Sequence, residues 1–176
     1  MSPTTHRKVD LAHIRALALD VDGVLTDGGL WWGANGEEWK RFCFADIMGL
    51  SLARRAGLKL ALISGEDSKV VDRYAGKMQI HHVTKGCRDK AAALRGFAAT
   101  VGIALAEICF MGDDLNDLPA MSIAGFAAAP ANAAHNVRAE ADFVAKRPGG
   151  NGAVRDLVDA LLAAQNLDPL EIFSRP

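Results

Sequence analysis

Two aspartates one residue apart, Asp20 and Asp22, close the apolar run Leu17-Ala18-Leu19 and are followed by Gly23 and Thr26. Alternate side chains of a strand share a face, so the two carboxylates would sit together if the strand continued. Carboxylates held close raise each other's pKa unless a cation or a proton lies between them. Two readings of this stretch stand side by side: a carboxylate pair with a use, and a strand ended by an ordinary Asp-Gly turn. Further on, Ser64 ends the apolar run from Leu58, and Gly112-Asp113-Asp114 ends the run from Ile108.

Brought to one cleft, these groups suit one kind of chemistry. Several carboxylates around a cleft need a cation, and oxygen-only donors without His or Cys spacing favour Mg2+ over zinc. A hydroxyl such as Ser64 and a cation such as Lys90 at the same edge would suit a phosphoryl group. One carboxylate can attack phosphorus as a covalent nucleophile. A second can protonate the leaving alkoxide and later activate water.

The elements that must position these groups alternate. Strands are expected at 14–20, 58–64, 79–83, 108–111, 125–128 and 142–145. Helices are expected at 46–56, capped by Asp46, and at 67–77, 89–101, 115–123, 133–139 and 151–165. Strand–helix alternation with short connections argues for a parallel sheet with helices on both faces, whose ligands bind beyond the carboxyl ends of the strands. The fold expected is therefore α/β, a Rossmann-like three-layer parallel sheet. Residues 28–33 and 37–44 form a hairpin about Asn35-Gly36, a strong turn signal. It carries Trp31, Trp32 and Trp39, which fit a subunit interface or pack back on the sheet. Residues 1–12 read as a loose leader, 13–167 as one domain and 168–176 as a tail.

Composition narrows the partners. The 176 residues are 50% hydrophobic with a net charge of -1, which gives no basic excess for nucleic acid or an anionic membrane. No apolar run approaches the ~20 residues of a membrane helix. Cys43, Cys87 and Cys109 are scattered, without metal-ligand spacing, and read as reduced thiols of a cytoplasmic protein. His81 and His82 point to opposite faces of a strand, and His135 reads as a surface helix residue.

Four motifs in order resemble those of the haloacid dehalogenase-like phosphatases: Asp20-Val21-Asp22-Gly23-Val24 with Thr26, then Ser64, then Lys90, then Gly112-Asp113-Asp114-Leu115-Asn116-Asp117. The resemblance implies that Asp20 is the nucleophile and Asp22 the general acid/base. It implies Mg2+ on Asp20, the Asp22 backbone carbonyl and Asp113, with Asp114 beside them. Ser64 and Lys90 would hold the phosphate, and Asp117 would orient Lys90 or its loop. The intervals between motifs are too short for a cap domain. Asp27-Gly28-Gly29, Asn35-Gly36-Glu37, the Phe42–Gly49 stretch with Asp46, and the tail from Arg147 to Arg155 resemble the capless sugar-acid phosphatases, typically tetramers in which a neighbour closes each site.

That branch acts on 3-deoxy-octulosonate 8-phosphate or on nine-carbon, sialic-acid-like 9-phosphates. The octulosonate enzymes typically carry Thr-Gly-Arg where this chain has Ser64-Gly65-Glu66, and an Arg where it has Ala45. Glu66 with Lys77 resembles the nine-carbon group, which makes a nine-carbon 9-phosphate the expected substrate and the eight-carbon compound the alternative. Gly65, Glu66, Lys77, Thr26, Asp46, Arg147 and Arg155 are the expected substrate-binding residues. A non-catalytic regulatory subunit of the same fold is the rival from another class, although every catalytic position holds a competent residue. A receiver-like domain shares the acidic parallel sheet, but its phospho-accepting aspartate would lie in mid-chain.

Overall fold

A computed structural model describes residues 10–174. Six parallel strands form one sheet: β1 (Ala16–Leu19), β4 (Lys59–Ile63), β5 (His82–Thr84), β6 (Ile108–Met111), β7 (Phe126–Ala129) and β8 (Phe143–Val144). Their spatial order is β5-β4-β1-β6-β7-β8. The chain builds outward from β1 through β4 to β5, then crosses back to add β6 on the other side of β1. The order therefore reverses at the central strand, the place where sheets of this type open a ligand crevice.

The alternation of β1 sets the two sides of the core. Leu17 and Leu19 join the apolar cluster under helices α1 (Phe44–Arg55), α2 (Lys69–Met78), α6 (Ala153–Ala164) and α7 (Pro169–Ser174). Ala16 and Ala18 join the opposite cluster, under α3 (Lys90–Val101), α4 (Leu118–Ile123) and α5 (His135–Glu140). All four residues of β1 are fully buried, so the strand is apolar on both faces, as a central parallel strand must be. Pairing continues in register at its end, where the Asp20 N–H donates to the Met111 carbonyl at 3.0 Å. The site is thus anchored on a central, fully buried strand.

The hairpin is shorter than expected. Only β2 (Trp31–Trp32) and β3 (Glu38–Trp39) pair, around a turn with Gly36 at φ +85°. A single bridge, Thr26 to Phe42, extends the pairing toward the sheet. The three tryptophans do not pack back on the sheet: they are 54, 76 and 55% exposed.

Other expectations need correction. Asp46 does not cap its own helix. That helix starts at Phe44 behind an extended Cys43, and Asp46, in the first turn, points across to α6. The strand expected at 79–83 begins only at His82, because Gln79 takes the left-handed C-cap of α2 at φ +56°. The segment expected as a tail carries α7, whose Ile172 is fully buried in the core. Of the expected leader, residues 1–9 lie outside the described residues, and Leu11–His13 forms a 3-10 turn capped by the Asp10 carboxylate. Among the described residues no helix is long and apolar enough to cross a membrane.

Candidate active site

The carboxyl ends of β1, β4 and β6 open into a cleft of about 200 Å³, lined by Asp20, Asp22, Gly65, Glu66, Asp113, Asp114 and Asn116. Beneath it lies Lys90, the first residue of α3 and fully buried. Its Nζ is 2.9 Å from Asp20 Oδ1 and 2.6 Å from Asp117 Oδ1. Asp117 is completely buried, and its other oxygen accepts the backbone N–H groups of Asp113 at 2.9 Å and Asp114 at 3.2 Å. One carboxylate therefore fixes both the lysine and the loop that carries Asp113.

Lys90 stands against three buried or half-buried carboxylates, so the region carries excess negative charge. Burial raises Asp20 to about 6, with Asp117 adding to the effect and Lys90 opposing it. Burial, with repulsion from Asp20, Asp117 and Asp114, raises Asp113 to about 7. Carboxylate oxygens of Asp20, Asp113 and Asp117 lie within 4.8 Å of one another. Since Asp117 is already engaged on both oxygens, Asp20 and Asp113 are the carboxylates free to meet a cation. Hard oxygen donors crowded in this way fit Mg2+, which keeps part of its shell for water and phosphate.

These shifts predict how metal binding depends on pH. Both carboxylates hold protons in the folded protein that the unfolded chain releases near pH 4. Their contribution to stability is complete below about pH 4 and is lost as pH rises through 6 to 7. A divalent cation competes with those protons, so Mg2+ affinity at pH 6 will be about ten-fold weaker than at pH 8. Calorimetric titration at the two pH values checks this, and equal affinities would contradict it.

The loop after β1 is shaped by glycine. Gly23 sits at φ +87°, and a Cβ there would overlap the Asp113 carboxylate. Gly149 and Gly150 lay their backbone directly on the 23–27 loop, with the Gly150 N–H donating to the Val24 carbonyl at 3.0 Å. We expect Gly23→Ala to strain the backbone by about 1–3 kcal/mol. By pushing Asp113 aside it will also weaken Mg2+ about ten-fold or more. Titration of the variant with Mg2+ measures the second effect apart from the first.

The expected site residues divide. Asp20, Asp22, Gly65, Glu66, Asp113 and Asp114 meet at the cleft, with Lys90 and Asp117 below it. Ser64 is buried beside Gly65, and its hydroxyl oxygen accepts the Glu66 N–H at 3.2 Å. Thr26 is fully buried, and its Oγ1 accepts from the N–H groups of Gly23 and Gly28, both at 3.3 Å, so it braces the loop rather than facing a ligand. Asp46 accepts the N–H groups of Gly152 and Arg155, both at 3.0 Å, and so caps α6. Arg147 is gripped by Asp156 through Nε at 2.9 Å and Nη2 at 2.7 Å, and Arg155 pairs with Asp159 at 2.7 Å. Lys77 lies over the Phe44 ring at 5.3 Å. Thr26, Asp46, Lys77, Arg147 and Arg155 therefore stand outside the cleft lining, each with a partner elsewhere in the chain.

Three residues escaped the sequence reading. Asn116 lines the cleft beside Gly65, inside a motif already singled out. Arg41 ties the hairpin base to Asp27 at 2.9 Å and Asn151 at 2.7 Å. Lys40 donates to Asp22 Oδ2 at 2.8 Å, with its side chain only 2% exposed. Alternation offered a signal for Lys40, since Glu38 and Lys40 share the face opposite Trp39.

A doubly wound sheet with carboxylates and a buried lysine at its switch point defines a class of α/β proteins that handle charged ligands at the strand ends. A family model described as haloacid dehalogenase-like hydrolase matches residues 61–156, and the chain belongs to that family. The 3-deoxy-D-manno-octulosonate 8-phosphate phosphatase of Salmonella typhi is 38% identical over 162 residues, 92% of this chain and 86% of that protein. The Moraxella catarrhalis enzyme of the same name, solved with magnesium, phosphate and the sugar acid, superposes with TM-score 0.87 at 40% identity, over 89% of this chain and 90% of that one. The cobalt-bound Haemophilus influenzae phosphatase gives TM-score 0.89 at 34% identity, over 94% and 99%.

Proposed function

We propose that this protein is a Mg2+-dependent phosphomonoesterase acting through an aspartyl-phosphate, with 3-deoxy-D-manno-octulosonate 8-phosphate as its substrate. One observation carries the catalytic reading: Asp20 stands at the end of the central strand, 2.9 Å from a buried Lys90 and beside Asp113, at the mouth of an oxygen-lined cleft. Asp20 attacks phosphorus as the bond to the sugar oxygen breaks, and Asp22 gives that oxygen a proton. Asp22 then takes a proton from water, which attacks phosphorus and frees Asp20. Lys90 and Ser64 steady the phosphoryl oxygens. Mg2+ on Asp20 and Asp113 would offset the charge between anionic nucleophile and anionic phosphate.

The substrate reading draws on the named relatives, phosphatases of the eight-carbon compound. The nine-carbon reading leans on Glu66, which lines the cleft. It also leans on Lys77, yet Glu66 precedes α2, which begins at Lys69, and Lys77 lies over the Phe44 ring. Phosphate release with Mg2+ from the eight- and nine-carbon phosphates compares the two directly. We expect kcat/KM to favour the eight-carbon substrate about ten-fold or more, a difference of one or two well-placed contacts. The opposite preference would return the assignment to Glu66. Release from neither would favour a non-catalytic subunit.

The reading includes assembly in the cytoplasm. Three exposed tryptophans on one hairpin, with Phe44 at the start of α1 also 77% exposed, are an unusual load for a free surface and suit contact between copies of the chain, as in a homotetramer. All three cysteines are free. Sedimentation of Trp32→Glu will show a smaller species than the wild type, and an unchanged one would remove the hairpin from the interface.

A further inference from the structure

We infer that Lys40 is a positioning residue for Asp22 and ties the hairpin to the proton-transfer step, an inference that rests on the phosphatase reading above. Asp22 sits on the loop after β1 with its side chain 31% exposed. A carboxylate in that setting rotates freely unless something holds it. Lys40 Nζ holds Oδ2 at 2.8 Å, and no other hydrogen bond to the Asp22 side chain is found among the described residues. Oδ1 is thereby left for the oxygen that must gain or lose a proton.

The lysine is itself held. Its side chain is 2% exposed, and Glu38 Oε1 lies 3.6 Å from Nζ. Ser68 Oγ donates to the same Glu38 oxygen at 2.5 Å, and Ser68 also caps α2 by accepting the Val70 N–H at 3.1 Å. A line of polar contacts therefore runs from the start of α2, through the second strand of the hairpin, to Asp22. Burying a lysine between two carboxylates is weakly stabilising at best, because desolvation consumes most of the attraction. Orientation of one carboxylate is what such an arrangement delivers.

The leaving group separates positioning from mere structure. A sugar alkoxide needs a proton to depart, whereas p-nitrophenolate leaves without one. In single turnovers of the full chain with Mg2+, Lys40→Met will slow transfer from the sugar-acid phosphate about 100-fold, and from p-nitrophenyl phosphate at least ten-fold less than that. Lys40→Arg, which keeps the charge and the donor, will recover most of the sugar-phosphate rate. In an Asp22→Ala background the same lysine substitution will cost no more than about two-fold, since residues acting as a unit are not additive. Lys40→Gln, with a donor in the same space, carries the comparison if Lys40→Met loses the fold. Equal losses on the two substrates, or full additivity with Asp22→Ala, would overturn the role. Failure of the phosphatase reading shows separately, as wild-type protein that releases phosphate from neither compound, and it overturns both.

Discussion

Asp20→Asn will abolish phosphate release, by about four orders of magnitude or more, while the protein stays folded. An amide of the same shape cannot attack phosphorus, so no covalent intermediate forms and only binding and charge stabilisation remain. Stability moves the other way. Burial holds the Asp20 carboxyl up at about 6, so at pH 7.5 the folded protein ionises a group that its surroundings disfavour. The neutral amide removes that cost. Lys90 keeps Asp117 at 2.6 Å and is not left unpaired. In metal-free buffer the variant should therefore melt at or above the wild-type temperature, and it should gain less from added Mg2+. Two measurements decide this: phosphate release over long incubation, and thermal unfolding with and without the metal. Activity within about a hundred-fold of wild type would remove Asp20 as the nucleophile, because a group that forms the bond cannot be so dispensable. A collapse of stability would mean that the ion pair to Lys90 outweighs the desolvation of Asp20.

The grouping of Asp20, Ser64 and Asp113 at one sheet edge was legible because it is local. Asp20, Ser64 and Asp113 each follow an apolar run, and three parallel strands ending in polar groups must deliver them to one edge. Lys90 comes from the resemblance rather than from a local rule, and the structure places it at the start of α3, where Asp89 accepts the Ala92 N–H at 2.9 Å. Local rules fail where a side chain serves a distant backbone. Asp46 satisfies the usual pattern of a helix N-cap, yet its partners are the N–H groups of Gly152 and Arg155, more than 100 residues away. Packing of α1 on α6 places it there, and Gly49 permits the approach, since a Cβ at that position would lie 3.1 Å from Arg155 Cα. Arg147 and Arg155 are expected at the substrate from the resemblance alone, and the sequence does not show that they pair with Asp156 and Asp159, one and two helical turns into α6. Lys40 is the converse case. Its sequence context is an ordinary charged hairpin, and only the folding of that hairpin over the strand ends buries it beside Asp22.

Lys90→Met will be the most destabilising single change in the site, by about 3–5 kcal/mol at pH 7.5 without metal. Methionine fills much the same space, so lost volume contributes little. The cost is electrostatic: Asp20 and Asp117, only 7% and 0% exposed at their side chains, lose the one buried cation between them, and Asp113 stands close by. Asp20 must then ionise in a poorly hydrated site or take up a proton. The sign with pH follows. The Asp20 and Asp113 pKa values are already raised in the wild type, and removing Lys90 removes the influence that lowers them. The destabilisation therefore grows as pH rises through 6 to 7 and beyond, and shrinks as acidification protonates the carboxylates. Mg2+ supplies positive charge to the same cluster, so saturating metal will stabilise Lys90→Met more than it stabilises the wild type. Adding Asp20→Asn to Lys90→Met will recover part of the loss by deleting one of the orphaned charges. Urea unfolding at pH 5 and pH 7.5, with and without Mg2+, measures all three effects. A cost below about 1 kcal/mol, or one unchanged between the two pH values, would mean that water reaches these carboxylates and that the lysine is not their principal counter-ion.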